Sequence, residues 1–183
     1  MTLIAGLTIS LDGYFEDADG NFDALYGDFE ELMDSAYMKA SQAETGAVLM
    51  GRRTFDMAGD PDSYAVDYEY QVPLFVLTHR PFEREPARNE NLSVTAVTDG
   101  LESAVAQATA AAGDRAVTVV GGADLNRQLL AAGLADELRV DVMPLLLGGG
   151  RRLFDGLPPG VRLEKLGVEE AGVRTSLSFR VLR

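Results

Sequence analysis

Cysteine is absent from the 183 residues, tryptophan is absent too, and there is a single histidine, His79. No disulfide, thiolate zinc site or thiol nucleophile is available, and a multi-histidine metal centre is excluded. The sequence marks no other metal site. Basic residues are scarce, 16 against 29 acidic ones, for a net charge of -13. A field of that sign repels phosphodiester backbones and anionic lipid, so neither nucleic acid nor membrane is an expected partner. No apolar run approaches the length of a membrane span. The run 1–9 has no basic flank and no small-residue cleavage site, and it reads as the first strand of a cytoplasmic protein.

What is present is a hydrophobic share of 46%, enough for one well-filled core and too little for two ordinary domains. A single domain over 1–183 is the expectation. Leu3 to Ile9 is β-rich and stops at Asp12-Gly13. Phe29, Leu32, Met33, Ala36, Tyr37 and Ala40 recur at helical spacing, behind a capping-box-like Asp28 and Glu31. Ala47 to Met50, Leu74 to Thr78 and Ala116 to Val120 are short runs, apolar but for Thr78 and Thr118, the mark of strands buried on both faces. Residues 58–73 form the expected long surface loop. Leu92 to Val97 alternates as a strand, and Asp99 is placed to cap a helix through Leu101, Ala104, Val105 and Ala108. Leu125, Leu129 and Leu130 share a face of another helix, closed by Gly133.

After Leu138, Val140 and Val142, the segments 161–168 and 173–182 predict a closing antiparallel hairpin. Strands alternating with helices and ending in strands give an α/β fold, a mixed, mainly parallel sheet with helices on both faces.

Three strand ends carry anion-binding chemistry. Val120 runs into Gly121-Gly122 and a helix beginning Ala123-Asp124-Leu125, where glycines admit a phosphate and helix-start amides face it. A tight packing turn explains the pattern equally well. Gly51-Arg52-Arg53-Thr54 offers two guanidiniums and a hydroxyl, or two exposed arginines; Thr78-His79-Arg80 suits a 2′-phosphate, or is a polar loop. Their convergence favours a ligand, because open α/β sheets bind along the carboxyl edge of their strands. Neither a P-loop nor a G-x-G-x-x-G turn after the first strand is present, so an ordinary Rossmann entry is ruled out.

Ile9-Ser10-Leu11-Asp12-Gly13-Tyr14, Val48 to Phe55, Val119 to Ala123, and Ala135 to Leu138 through Pro144 to Gly148 together resemble the dihydrofolate-reductase-like superfamily. Within it, the chain is similar to stand-alone proteins related to the reductase domain of the riboflavin-biosynthesis deaminase-reductase. The resemblance implies a three-layer fold and an NADPH-dependent reductase acting on a small pterin or ribosylaminopyrimidine-type molecule. It implies that Gly51, Arg52, Arg53 and Thr54 hold phosphates and that Thr78, His79 and Arg80 flank the 2′-phosphoadenosine. Gly121, Gly122, Ala123, Asp124 and Leu125 would wrap the pyrophosphate, with Ala5 and Ile9 beside the nicotinamide.

Asp28, Phe29 and Leu32 match the spacing of the family's early-helix carboxylate, so Asp28 is a catalytic candidate as well as a helix-start residue. Asp12 is the second candidate, or an Asx-type turn residue. Gly148-Gly149-Gly150-Arg151-Arg152 reads mainly as a flexible turn, the alternative being a further phosphate loop whose arginines meet a substrate phosphate. Tyr64, Tyr68 and Tyr70 are a substrate wall or half-exposed packing. Two further readings stand beside the reductase: a nucleotide-binding module without turnover, and a dimeric scaffold whose glycine turns are structural. A homodimer through the C-terminal strands would cover their apolar face.

Overall fold

The structure is a computed structural model that describes residues 2–182; Met1 and Arg183, the ends of the expected domain, lie outside the described residues. An eight-stranded sheet carries the fold, built from β1 (Leu3–Ser10), β3 (Thr45–Gly51), β4 (Leu74–Leu77), β5 (Val94–Val97), β6 (Ala116–Val119), β7 (Glu137–Met143), β9 (Arg162–Ala171) and β10 (Arg174–Leu182). Their order is β5-β4-β3-β6-β1-β7-β10-β9. All pairs from β5 to β7 are parallel, and β10 and β9 close the sheet as the predicted antiparallel hairpin. A two-stranded ribbon, β2 (Tyr14–Glu16) with β8 (Arg151–Arg152), stands apart from it.

Side-chain alternation distributes the apolar residues to two cores. Ala5, Ala47, Leu49 and Phe75 pack with α5 (Leu101–Ala112) and α6 (Ala123–Ala131). Val48, Met50, Leu74 and Val76 face the opposite way, against α2 (Ala36–Glu44), α3 (Arg52–Asp56) and α4 (Tyr64–Asp67). A strand flanked by two cores is apolar at every position, which is why the sequence of β3 shows no alternation. Among the described residues, no helix is long and apolar enough to cross a membrane.

Several local expectations give way to other interactions. The helix expected over 29–40 is two helices, α1 (Phe29–Asp34) and α2, separated at Ser35. Ser35 is extended; its hydroxyl donates to the Leu32 carbonyl at 2.6 Å and accepts from Met38 N at 3.0 Å, ending one helix and capping the next. The capping box at Asp28 does not form, because the Asp28 carboxylate is engaged by a distant arginine. Asp99 is likewise not a cap: Gly100 occupies that position, and Asp99 accepts from the Ser103 hydroxyl at 2.8 Å. Within 58–73 the chain forms a 3₁₀ turn, Pro61–Ser63, and α4, and buries Tyr64 and Tyr70. Arg151 and Arg152 form β8 rather than a free turn, for Gly150 approaches so closely that a Cβ there would lie 2.0 Å from the Glu16 carbonyl oxygen.

Candidate functional site

The carboxyl ends of β3, β4 and β6 open into a cavity of about 1320 Å³. Gly51, Arg52, Arg53, Thr54, Thr78, His79, Arg80, Gly121, Gly122, Ala123, Asp124 and Leu125 all line it, so the three predicted strand ends meet around one space. Ala5 and Ile9 do not line it. Both lie in the core on the same face of β1 as Leu7, which does reach the cavity.

The glycine turn is conformationally demanding. Gly121 and Gly122 have φ of 67° and 71°, a backbone that L side chains rarely adopt. A Cβ on Gly121 would lie 2.6 Å from Cγ2 and 2.9 Å from Oγ1 of Thr54, so two of the strand ends touch. Asn126, fully buried on α6, pins the turn to β1. Its Nδ2 donates to the carbonyls of Gly6 at 3.1 Å and Gly122 at 3.1 Å, and its Oδ1 accepts from Gly6 N at 2.8 Å. At the end of β4, the Thr78 hydroxyl donates to the Arg80 carbonyl at 3.0 Å and fixes the turn that exposes His79 and Arg80.

An ion-pair chain surrounds the arginines. Glu16, only 5% exposed, sits 3.1 Å from Arg53 Nη2 and 3.2 Å from Arg151 Nη1. Arg151 continues to Asp124 at 3.2 Å, and Arg127 pairs with the same carboxylate. The hydrogen bonds from Arg127 and then Arg151 hold the Asp124 carboxyl below the usual carboxylate range.

The two catalytic candidates have structural partners. Arg174, 1% exposed, donates from Nε to Asp28 Oδ2 at 2.7 Å and from Nη2 to Oδ1 at 2.6 Å. The same guanidinium donates to Thr8 Oγ1 at 2.9 Å and the Leu25 carbonyl at 3.0 Å, and lies 5.3 Å from the Tyr26 ring centre. Hydrogen bonding to Arg174 keeps Asp28 below the usual carboxylate range, which favours the ionised form and disfavours proton donation at neutral pH. Asp12 accepts from the Ser10 hydroxyl at 2.6 Å, from Leu147 N at 3.1 Å and from Gly148 N at 2.8 Å. Those bonds, Ser10 first, lower its pKa and tie the loop after β7 to the end of β1. Neither carboxylate lines the cavity.

Aromatic residues form another wall. Phe22, Tyr26, Phe29, Tyr64 and Tyr68 line the cavity together with Glu69. Phe55 stacks on Tyr64 with ring centres 4.9 Å apart, and Tyr64 meets Tyr68 edge-on at 4.8 Å.

Sequence reasoning missed Glu16, Asn126 and Arg174. An amide among the leucines of α6 was a readable signal for Asn126; nothing near Arg174 in sequence announces its partner.

The model of the RibD C-terminal domain family matches residues 1–177. The chain belongs to the RibD C-terminal domain family. This reductase-family domain is similar to the putative riboflavin biosynthesis protein of Shewanella sp. PV-4, at 26% identity over the whole of both chains with a TM-score of 0.71. It is also similar to the Thermotoga maritima diaminohydroxyphosphoribosylaminopyrimidine deaminase/5-amino-6-(5-phosphoribosylamino)uracil reductase, at 15% identity and TM-score 0.72, covering 99% of this chain and 56% of that one. Enterococcus faecalis dihydrofolate reductase, solved with NADP(H), aligns over 100% of this chain and 97% of its own, at 15% identity and TM-score 0.57. These likenesses establish the dihydrofolate-reductase-like fold of this RibD C-terminal domain family member.

Proposed function

We propose that this chain is an NADPH-dependent reductase that delivers hydride to a C=N or C=O bond of a small heterocycle of pterin or ribosylaminopyrimidine type. The observation that carries the reading is the convergence of Gly51–Thr54, Thr78–Arg80 and Gly121–Leu125 on one cavity.

The residues present fit a phosphorylated dinucleotide. A Cβ at Gly51 would meet nothing within 4 Å, so backbone there can approach a ligand, and the Gly121-Gly122 turn delivers the chain into the start of α6. Thr54, Thr78 and the guanidiniums of Arg52, Arg53 and Arg80 would hold the phosphates, and Leu7 offers an apolar surface to the nicotinamide. Bound there, NADPH supplies the hydride. The chain's own work is to orient the acceptor against it and to exclude water, which the apolar and aromatic walls favour. The pairing of Asp28 with Arg174 supports a second reading, a cofactor-binding module without turnover, because it withdraws the obvious proton donor.

Titration of NADPH and NADH, followed by energy transfer from tyrosine to nicotinamide, tests the proposal. Saturable NADPH binding is expected, with Arg53→Ala weakening NADPH about tenfold and NADH little. No saturable binding, or equal losses for both cofactors, overturns it. Oxidation of NADPH on adding dihydropterins or aminopyrimidines then separates enzyme from binding module.

A further inference from the structure

The sheet is split on the side that faces the cavity. β1 runs beside β7 through seven residue pairs, Ile4 to Ser10, but beside β6 through only two, Leu3 with Val117 and Ile4 with Thr118. β6 stays instead with β3, as far as Val119 and the bond from Val120 N to the Leu49 carbonyl at 3.0 Å. Beyond Ile4 the two strands part. Leu7 stands on one bank of the split, Gly121 and Gly122 on the other, and all three line the cavity. A dinucleotide held by its pyrophosphate at the glycine turn, with its nicotinamide against Leu7, has to cross this gap.

One side chain spans it. Asn126, fully buried in the first turn of α6, takes both backbone groups of Gly6: Oδ1 accepts from the N–H at 2.8 Å and Nδ2 donates to the carbonyl at 3.1 Å. On the opposite bank Nδ2 donates to the Gly122 carbonyl at 3.1 Å, with the Gly121 carbonyl at 3.3 Å. A primary amide offers an acceptor oxygen and two N–H donors, the set that one N–H and a carbonyl on each bank require. Its buried neighbours on the same helix, Leu125, Leu129 and Leu130, are apolar. A leucine at 126 would pack as they do and leave the N–H and C=O of Gly6 without a partner.

The glycine turn has supports of its own. The backbone N–H of Asn126 donates to the Gly122 carbonyl at 3.1 Å, and Thr54 packs against Gly121 from the end of β3. The side-chain amide therefore ties the turn to β1 rather than shaping it. We propose that Asn126 is a positioning residue, which fixes the width of the split and so the distance between the phosphate grip and the nicotinamide wall. The inference rests on the reductase reading and adds a residue to it. A ligand that touches both banks gains from their fixed separation, because its second contact is made without further ordering; a ligand on one bank gains nothing.

Calorimetric titration of the full chain with three compounds of increasing reach tests this role. Adenosine 2′,5′-bisphosphate reaches residues 78–80 and 51–54, 2′-phospho-ADP-ribose adds the pyrophosphate at the glycine turn, and only NADPH brings a nicotinamide to Leu7. Asn126→Ala is expected to weaken NADPH about twentyfold and the two shorter ligands less than about twofold. Asn126→Asp, which keeps the shape and the acceptor but removes both donors, is expected to give the same pattern. A loss that already appears in full with 2′-phospho-ADP-ribose, or no loss with NADPH, overturns the role. So does failure of both variants to unfold cooperatively in urea, which would show that the amide serves the fold. Wild type that binds none of the three sinks the reductase reading and this inference together. Wild type that binds NADPH, with variants that lose all three ligands equally, sinks only this inference.

Discussion

Arg174 of β10 grips Asp28 ahead of α1 with two hydrogen bonds, 2.7 Å from Nε and 2.6 Å from Nη2, across 146 positions of sequence. The pair joins the C-terminal hairpin to the segment that carries Tyr26 and Phe29 to the cavity. Removing the guanidinium leaves a largely buried carboxylate, the Thr8 hydroxyl and the Leu25 carbonyl without it. Arg174→Met is therefore expected to destabilise the fold by about 3–5 kcal/mol, read from urea unfolding.

The same pair sets an acid dependence. Asp28 is held below its unfolded pKa, so its contribution is complete above the ordinary carboxylate range and is lost as pH falls towards the depressed native value. Thermal melts of wild type and Asp28→Asn should thus converge in acid and separate towards neutrality, with wild type the more stable. A constant offset at all pH values would show that the charge contributes nothing.

Gly121→Ala should cost roughly 2–4 kcal/mol, combining a left-handed backbone with the contact to Thr54. Thr54→Ala removes both atoms nearest to that Cβ. The double variant should therefore recover the steric part and retain the backbone part, a coupling visible in a double-mutant cycle of melting temperatures.

Glu16 neutralises Arg53 and Arg151 at the arginine-rich rim. Glu16→Gln should release positive charge and tighten NADPH about fivefold, roughly 1 kcal/mol. A loss of affinity in a variant that still melts like wild type would show instead that Glu16 positions the arginines.

Ser35→Ala should destabilise by about 1 kcal/mol, because one hydroxyl both receives the Met38 amide and satisfies the Leu32 carbonyl. Chemical denaturation with an unchanged slope would report this as a local capping loss.

The sheet was largely legible because its strands follow simple rules: β3, β4 and β6 are apolar but for Thr45 and Thr118, and β7 and β10 alternate. The three ligand-facing strand ends were legible for the same reason, since each glycine or arginine cluster directly follows one of these runs. What escaped was determined by a local side-chain cap or by partners remote in sequence. Helical spacing runs on through Ser35, and only the cap geometry breaks it. Asp28 followed by Glu31 reads as a helix start until Arg174 arrives from the far hairpin. Glu69 sits in a segment that reads as surface loop, yet the burial of Tyr64 and Tyr70 draws it inward. The two-residue strand β8 is shorter than any period, and its pairing depends on the close approach at Gly150.

The place of β1 in the sheet has a consequence for biosynthesis. Leu3 pairs with Val117 and Ile4 with Glu137, so one edge of this central strand stays unpaired until β6 has left the ribosome and the other until β7 has followed. The nascent chain must carry an apolar strand with two open edges through most of its synthesis, a state prone to pairing with neighbouring chains. Holdase chaperones that bind extended apolar segments would find their clearest target in this chain at residues 3–10, and their release would be timed by the emergence of β7.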